Sequence, residues 1–111
     1  MATRFTEIVI DVVKLRDYCL NESHPRGKHK ARVFQSRLGL TAADAQWLRQ
    51  QLLQATEEKQ DDLQLGENDE FGQRYVLDVV VNTSTNAASV RTAWIVLTGE
   101  EVLRLVTCYV L

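Results

Sequence analysis

SVRTAWIVLTGEEVLRLVTCYVL, residues 89–111, holds two runs of mostly β-branched, aromatic and other apolar side chains around a short polar break. Such residues suit a pleated, half-buried surface, and the Gly99-Glu100 pair between them suits a tight hairpin. Taking those two as the turn sets Thr98 against Glu101, Trp94 against Leu105 and Thr92 against Thr107. RYVLDVVV, residues 74–81, has the same character and is followed by the turn-forming NTSTNA. Together the three runs predict an antiparallel meander over 73–110. On this register Leu77, Val79, Val90, Trp94 and Leu105 share the richer apolar face. Tyr75 and Tyr109 would join that face and Thr92 and Thr107 would be its polar interruption, while Arg74, Asp78, Arg91 and Arg104 point the other way.

Upstream the period changes. FTEIVI, residues 5–10, suits a short first strand, and VVKLRDYCL, residues 12–20, a short helix ended by Asn21. NESHPRG holds the single proline and reads as a turn. From Lys28 the helical period returns, with Ala31, Phe34 and Leu38 on one face and Gly39 as the stop. Residues 40–58 predict the longest helix, with Thr41 as N-cap, Asp44 in the first turn and a stripe of Ala45, Leu48, Leu52 and Ala55. KQDDLQLGENDEFG, residues 59–72, reads as an acidic loop. The fold class is therefore α+β, N-terminal helices packed on a C-terminal antiparallel sheet, in one domain spanning 1–111.

Composition narrows the functional classes. A chain of 111 residues with 45% apolar and 25% charged side chains is ordinary globular material. No apolar run approaches the roughly 20 residues of a membrane helix, and Glu7 and Asp11 spoil the first stretch as a signal peptide. A cytoplasmic protein with no membrane partner is expected. Cys19 and Cys108 are the only cysteines and have no metal-ligand spacing, so both are expected as reduced core residues, with no metal or cofactor. Charge is uneven: residues 1–50 carry nine Lys/Arg against five Asp/Glu, a net of +4, and residues 51–111 carry four against ten, a net of −6.

The positive charge gathers in NESHPRGKHKARVF, residues 21–34, with two histidines, two lysines and two arginines. A helix starting near Lys28 points free N–H groups and a positive dipole end forward, and Gly27 permits close approach. The stretch suits either a phosphate site or a solvated turn with Glu22 as local counter-charge. As chemistry, metal-independent RNA cleavage fits best, since attack by the ribose 2′-OH needs only proton handling and cations for the developing charge. His24 or His29 would move protons near neutral pH. Lys28, Lys30 and Arg32 would hold the phosphate, with Thr92, Thr107 or Tyr109 donating hydrogen bonds. The bland alternative is an exposed histidine turn beside ordinary sheet threonines and tyrosine. Nucleophile-elbow and zinc-protease motifs are absent.

The segments KLRDYCLNESHPRGKHKARVF, LGL, FGQRYVLD, AWIV and RLVTCYVL resemble a small bacterial domain family of uncharacterised function. Its members show a K-L-x-x-Y-L-L-N-x-x-H-P-x-G-x-x-K-A-x-F opening and an A-W-I…R-L-x-T close. The likeness covers roughly residues 13–111. It implies similarity to C-terminal modules of polymorphic and contact-dependent inhibition toxins and to stand-alone toxin–antitoxin components, some of them RNases of the barnase, EndoU, colicin or RelE type. Carried over by position, the patterned polar residues are His24, Lys30, Trp94, Arg104 and Thr107, whereas Lys28 and His29 sit where the family varies. The residue reading and the resemblance together give an expected catalytic set of His24, Lys30 and Thr107, with Lys28, His29, Arg32, Thr92, Arg104 and Tyr109 binding RNA. The alternative is a non-catalytic antitoxin or immunity module whose acidic segment 57–70 docks on a basic partner.

Overall fold

The computed structural model describes residues 5–111. Strand β1, Glu7–Val9, leads into helix α1, which starts as an α-turn at Val12–Lys14 and widens to a π-helical turn at Leu15–Cys19. Asp11 caps its start, the carboxylate accepting from the Val13 N–H at 2.9 Å. The wider turn closes with Leu20 N–H donating to the Leu15 carbonyl, and it buries Leu15 and Cys19 together. Helix α2, Lys28–Leu38, buries Ala31, Phe34 and Leu38 and stops at Gly39, whose φ of 70° is the left-handed conformation a β-carbon resists.

A 3₁₀ turn at Ala42–Asp44 opens helix α3, Ala45–Glu58. Asp44 reaches back to accept the Thr41 N–H at 2.9 Å, the expected N-terminal signature. Ala45, Leu48, Leu52 and Thr56 are buried, and Ala55 packs beside them. A second 3₁₀ turn, Gln60–Asp62, leads to strands β2 (Gln64–Asp69), β3 (Gly72–Asn82), β4 (Ala87–Leu97) and β5 (Val102–Val110).

The five strands form one sheet in the order β1-β5-β4-β3-β2. The expected meander is β3-β4-β5, antiparallel throughout. Two departures enlarge it. The acidic stretch expected as a loop contributes β2, which pairs antiparallel with β3. On the other side β1 pairs parallel with β5, through Glu7–Val102 to Val9–Arg104, so the sheet is mixed rather than antiparallel. The fold class is α+β. Trp94 and Phe34 sit in the core between helices and sheet, together with Leu48, Leu52, Leu77, Val90 and Leu103. Burying each such side chain contributes about 1.5–3 kcal/mol.

One irregularity in β5 matters most. Trp94 does face Leu105, as the hairpin register requires, but Ala93 then faces Thr107 and Thr92 faces Cys108. Val106 is the extra residue, a β-bulge that exchanges the two faces of β5 beyond it. Cys108 and Val110 turn into the core, and Thr107 and Tyr109 turn out of it. The expected pairing of Thr92 with Thr107 and their common apolar face are thereby corrected. A register read from the turn alone carries no sign of an extra residue six positions away.

Candidate functional site

The turn between α1 and α2 is tied by its own side chains. The Asn21 side-chain oxygen accepts the Ser23 N–H at 2.9 Å, and its side-chain nitrogen donates to the Asp17 backbone carbonyl at 3.2 Å. His24 Nδ1 accepts the N–H groups of Arg26 and Gly27, both at 3.0 Å. With that lone pair occupied, the ring proton resides on Nε2. Gly27 is in place because a β-carbon there would run into the Tyr18 carbonyl. The His-Pro-x-Gly sequence thus has a structural cause. It folds α2 tightly back onto the π-helical turn of α1.

That close approach places Lys30 at the outer edge of β5. β1 accompanies β5 only as far as Arg104, so the strand beyond has no strand neighbour on that side among the described residues. Lys14 Nζ donates to the Leu105 carbonyl there at 3.4 Å. Lys30 Nζ donates to Thr107 Oγ1 at 3.4 Å and lies 5.4 Å from the Tyr18 ring centre and 5.3 Å from that of Tyr109. The ammonium is held between two aromatic faces, each attractive to a cation. Tyr18 in turn meets His24 edge to face, ring centres 4.8 Å apart. Among the described residues no carboxylate forms an ion pair with Lys30. Beside it opens a cleft of about 540 Å³, lined by Asp11, Lys14, Asp17, Tyr18, His24 and Val106 among others.

Thr107 also touches the core side, its Oγ1 3.9 Å from Cys19 Sγ. The Cys108 thiol hydrogen-bonds to Cys19 and lowers the Cys19 proton affinity to about 6; Thr107 and the Lys30 charge reinforce this against burial. Cys108, which donates, is pushed well up by that same bond and by burial. Lys30, Thr107, Cys19 and Cys108 thus line up as a polar chain from the edge into the core. Both cysteines are unbridged and buried.

The sequence-predicted residues fall into three groups. Lys30, Thr107 and Tyr109 are in direct contact, and His24 joins them through Tyr18. Lys28 is half-buried in the first turn of α2, while His29 and Arg32 are exposed, and none of these three has an ion pair among the described residues. Thr92 and Arg104 lie apart. Thr92 is completely buried, donating to the Leu77 carbonyl at 2.6 Å and accepting the Trp94 indole N–H at 2.7 Å, which makes it a core residue. Arg104 is engaged with Glu100 across the β4–β5 turn at 3.2 Å. Glu22 meets the Gln35 amide rather than a lysine.

Sequence reasoning missed Tyr18 and the thiol pair. Tyr18 reads as one more apolar position of a short helix, and only the π-helical turn shows that it flanks a cation. Arg91 points outward as the register predicts, pairing with Asp78 at 2.8 Å, and it also adjoins Tyr109.

Among the described residues no cluster of three or more potential metal ligands occurs, and no helix is long and apolar enough to cross a membrane. No curated protein and no solved structure matches the chain. A family model does, over residues 3–111, and the chain accordingly belongs to the family described as a domain of unknown function, DUF6883.

Proposed function

We propose that the edge cluster of Lys30, Thr107, Tyr109, Tyr18 and His24 receives an RNA phosphodiester and promotes its metal-independent cleavage. The observation that carries this reading is the half-buried Lys30 ammonium, which has a hydroxyl and two ring faces around it but no carboxylate. A cation so placed and paired with no carboxylate among the described residues favours an incoming anion. Phosphate is suited to it, and the open cleft beside it admits a chain rather than a small molecule alone.

In the proposed step the ribose 2′-oxygen bonds to phosphorus and the P–O5′ bond breaks, leaving a 2′,3′-cyclic phosphate and a 5′-hydroxyl. Lys30 neutralises charge on the non-bridging oxygens as it grows, with Thr107 and the rings fixing the ammonium in advance. His24 serves as an N–H donor, because its Nδ1 lone pair belongs to the turn. The 2′-OH proton leaves to water, and the 5′-oxygen takes one from water. Lys30→Ala should lower cleavage of total RNA in chelator about a hundred- to thousandfold, equivalent to about 2.7–4 kcal/mol, the effect of losing an oxyanion donor. Lys30→Arg should recover part of it.

A second reading, a toxin-neutralising or immunity module without catalysis, is favoured by one observation: His24, the histidine within the cluster, has no free lone pair to act as base. Wild-type protein that leaves RNA intact in chelator supports that reading over cleavage.

A further inference from the structure

The acidic stretch between α3 and β3, once folded, is an edge strand. β2 closes one side of the sheet, and among the described residues no strand pairs with its outer edge. Five of its six residues are exposed. Unpaired edge backbone is a template for another extended chain. Charge and a bulge guard this edge: the pairing with β3 shifts between Leu65 and Asn68. The apolar side chains do not fit protection. Leu65 is 70% exposed, and Phe71, in the turn after the strand, is 60% exposed. Both stand open where an edge designed only to repel would be polar.

We infer that β2 is a docking edge for an extended, lysine- or arginine-rich segment of a partner protein. Charge decides the occupant. Residues 61–70 hold five carboxylates, Asp61, Asp62, Glu67, Asp69 and Glu70, and no lysine or arginine. Among the described residues, only Asp69 of these has an ion-pair partner, Arg74 at 2.9 Å. A second copy of this chain would bring like charges edge to edge, which is unfavourable. A basic strand meets complementary charge along the same backbone, and its apolar side chains cover Leu65 and Phe71. The inference is independent of the chemistry at Lys30, a residue of α2 that lies beside β5 at the other side of the sheet.

The test uses the full chain, isotope-labelled, with an eight-residue peptide of alternating lysine and valine and a glutamate–valine counterpart. The basic peptide should shift and protect the amides of residues 64–69, and added salt should weaken it. The triple variant Leu65→Ser, Glu67→Lys, Glu70→Lys alters only exposed side chains and should bind at least about tenfold more weakly. Lys30→Ala should bind as wild type does. An equal response to the acidic peptide, no response at 64–69, or an unaffected triple variant overturns the inference. So does a dimer in sedimentation that the triple variant abolishes, because it assigns the edge to a second copy.

Discussion

Thr92→Val removes a hydroxyl and nothing else of size from the centre of the sheet. In the wild type that hydroxyl donates to the Leu77 carbonyl and accepts the Trp94 indole N–H, with no exposed surface on Thr92 at all. Valine leaves the indole N–H buried without an acceptor, which costs roughly 1–3 kcal/mol, and forfeits the bond to Leu77, worth about 1 kcal/mol. The new methyl group returns about 0.8 kcal/mol of burial. The net loss is about 1–3 kcal/mol, or about 4–13 °C in Tm for a chain of this length. Thermal and urea unfolding followed by tryptophan fluorescence measures it. Adding Trp94→Phe deletes the orphaned donor, so the double-mutant cycle should show a coupling of about 1–2 kcal/mol between the two sites. Activity at a temperature where the variant is folded should be unchanged. A Thr92→Val protein within about 2 °C of wild type, or zero coupling, refutes the assignment of Thr92 to the core.

Further outcomes follow from other contacts. His24→Asn should keep the turn, since an Asn oxygen can accept the same two N–H groups, while His24→Ala should lower Tm; circular dichroism melts compare them. Gly27→Ala should destabilise strongly, because the added carbon meets backbone at Tyr18, and proteolysis of the 20–28 turn should increase. The thiol pair makes stability pH-dependent in two opposed senses. Cys19, depressed to about 6 from 9.0, contributes stability that is full above 9.0 and lost as pH falls toward 6. Cys108, raised above 9.0, contributes stability that is full below that value and lost as pH climbs past it. Urea midpoints should therefore rise from pH 6 to about 9 in the wild type, and Cys19→Ser should flatten that slope. Asp78, lowered chiefly by its hydrogen bond to Arg91, stabilises above its ordinary value of 3.8 and loses this below it, so Asp78→Asn should soften the acid transition slightly.

The sheet and helices were legible where one physical signal acted alone. Gly39, the Thr41–Asp44 cap and the Trp94–Leu105 pairing are local, and chemistry within a few residues decides them. β2 was read as loop because its residues are polar on both faces, as an exposed edge strand allows. The parallel β1 contact joins residues 95 apart and leaves no local mark. At the site, charge density in the sequence singles out Lys30 and His24, both of which the fold brings against the Tyr18 ring. What it could not show was the bulge at Val106, which decides that Thr107 and Tyr109 turn toward Lys30 while Cys108 turns inward. Nor did it show that the His24 ring is spent on the turn.

Cleavage of an RNA oligonucleotide and of its all-2′-deoxy counterpart, both in chelator, tests the central claim most directly. Wild-type protein should cut the RNA to a 2′,3′-cyclic phosphate and a 5′-hydroxyl and leave the deoxy strand whole. Lys30→Ala, folded by circular dichroism, should cut the RNA about a hundred- to thousandfold more slowly. Equal cleavage by Lys30→Ala, cleavage of the deoxy strand, or RNA left intact by the wild type would contradict the proposal.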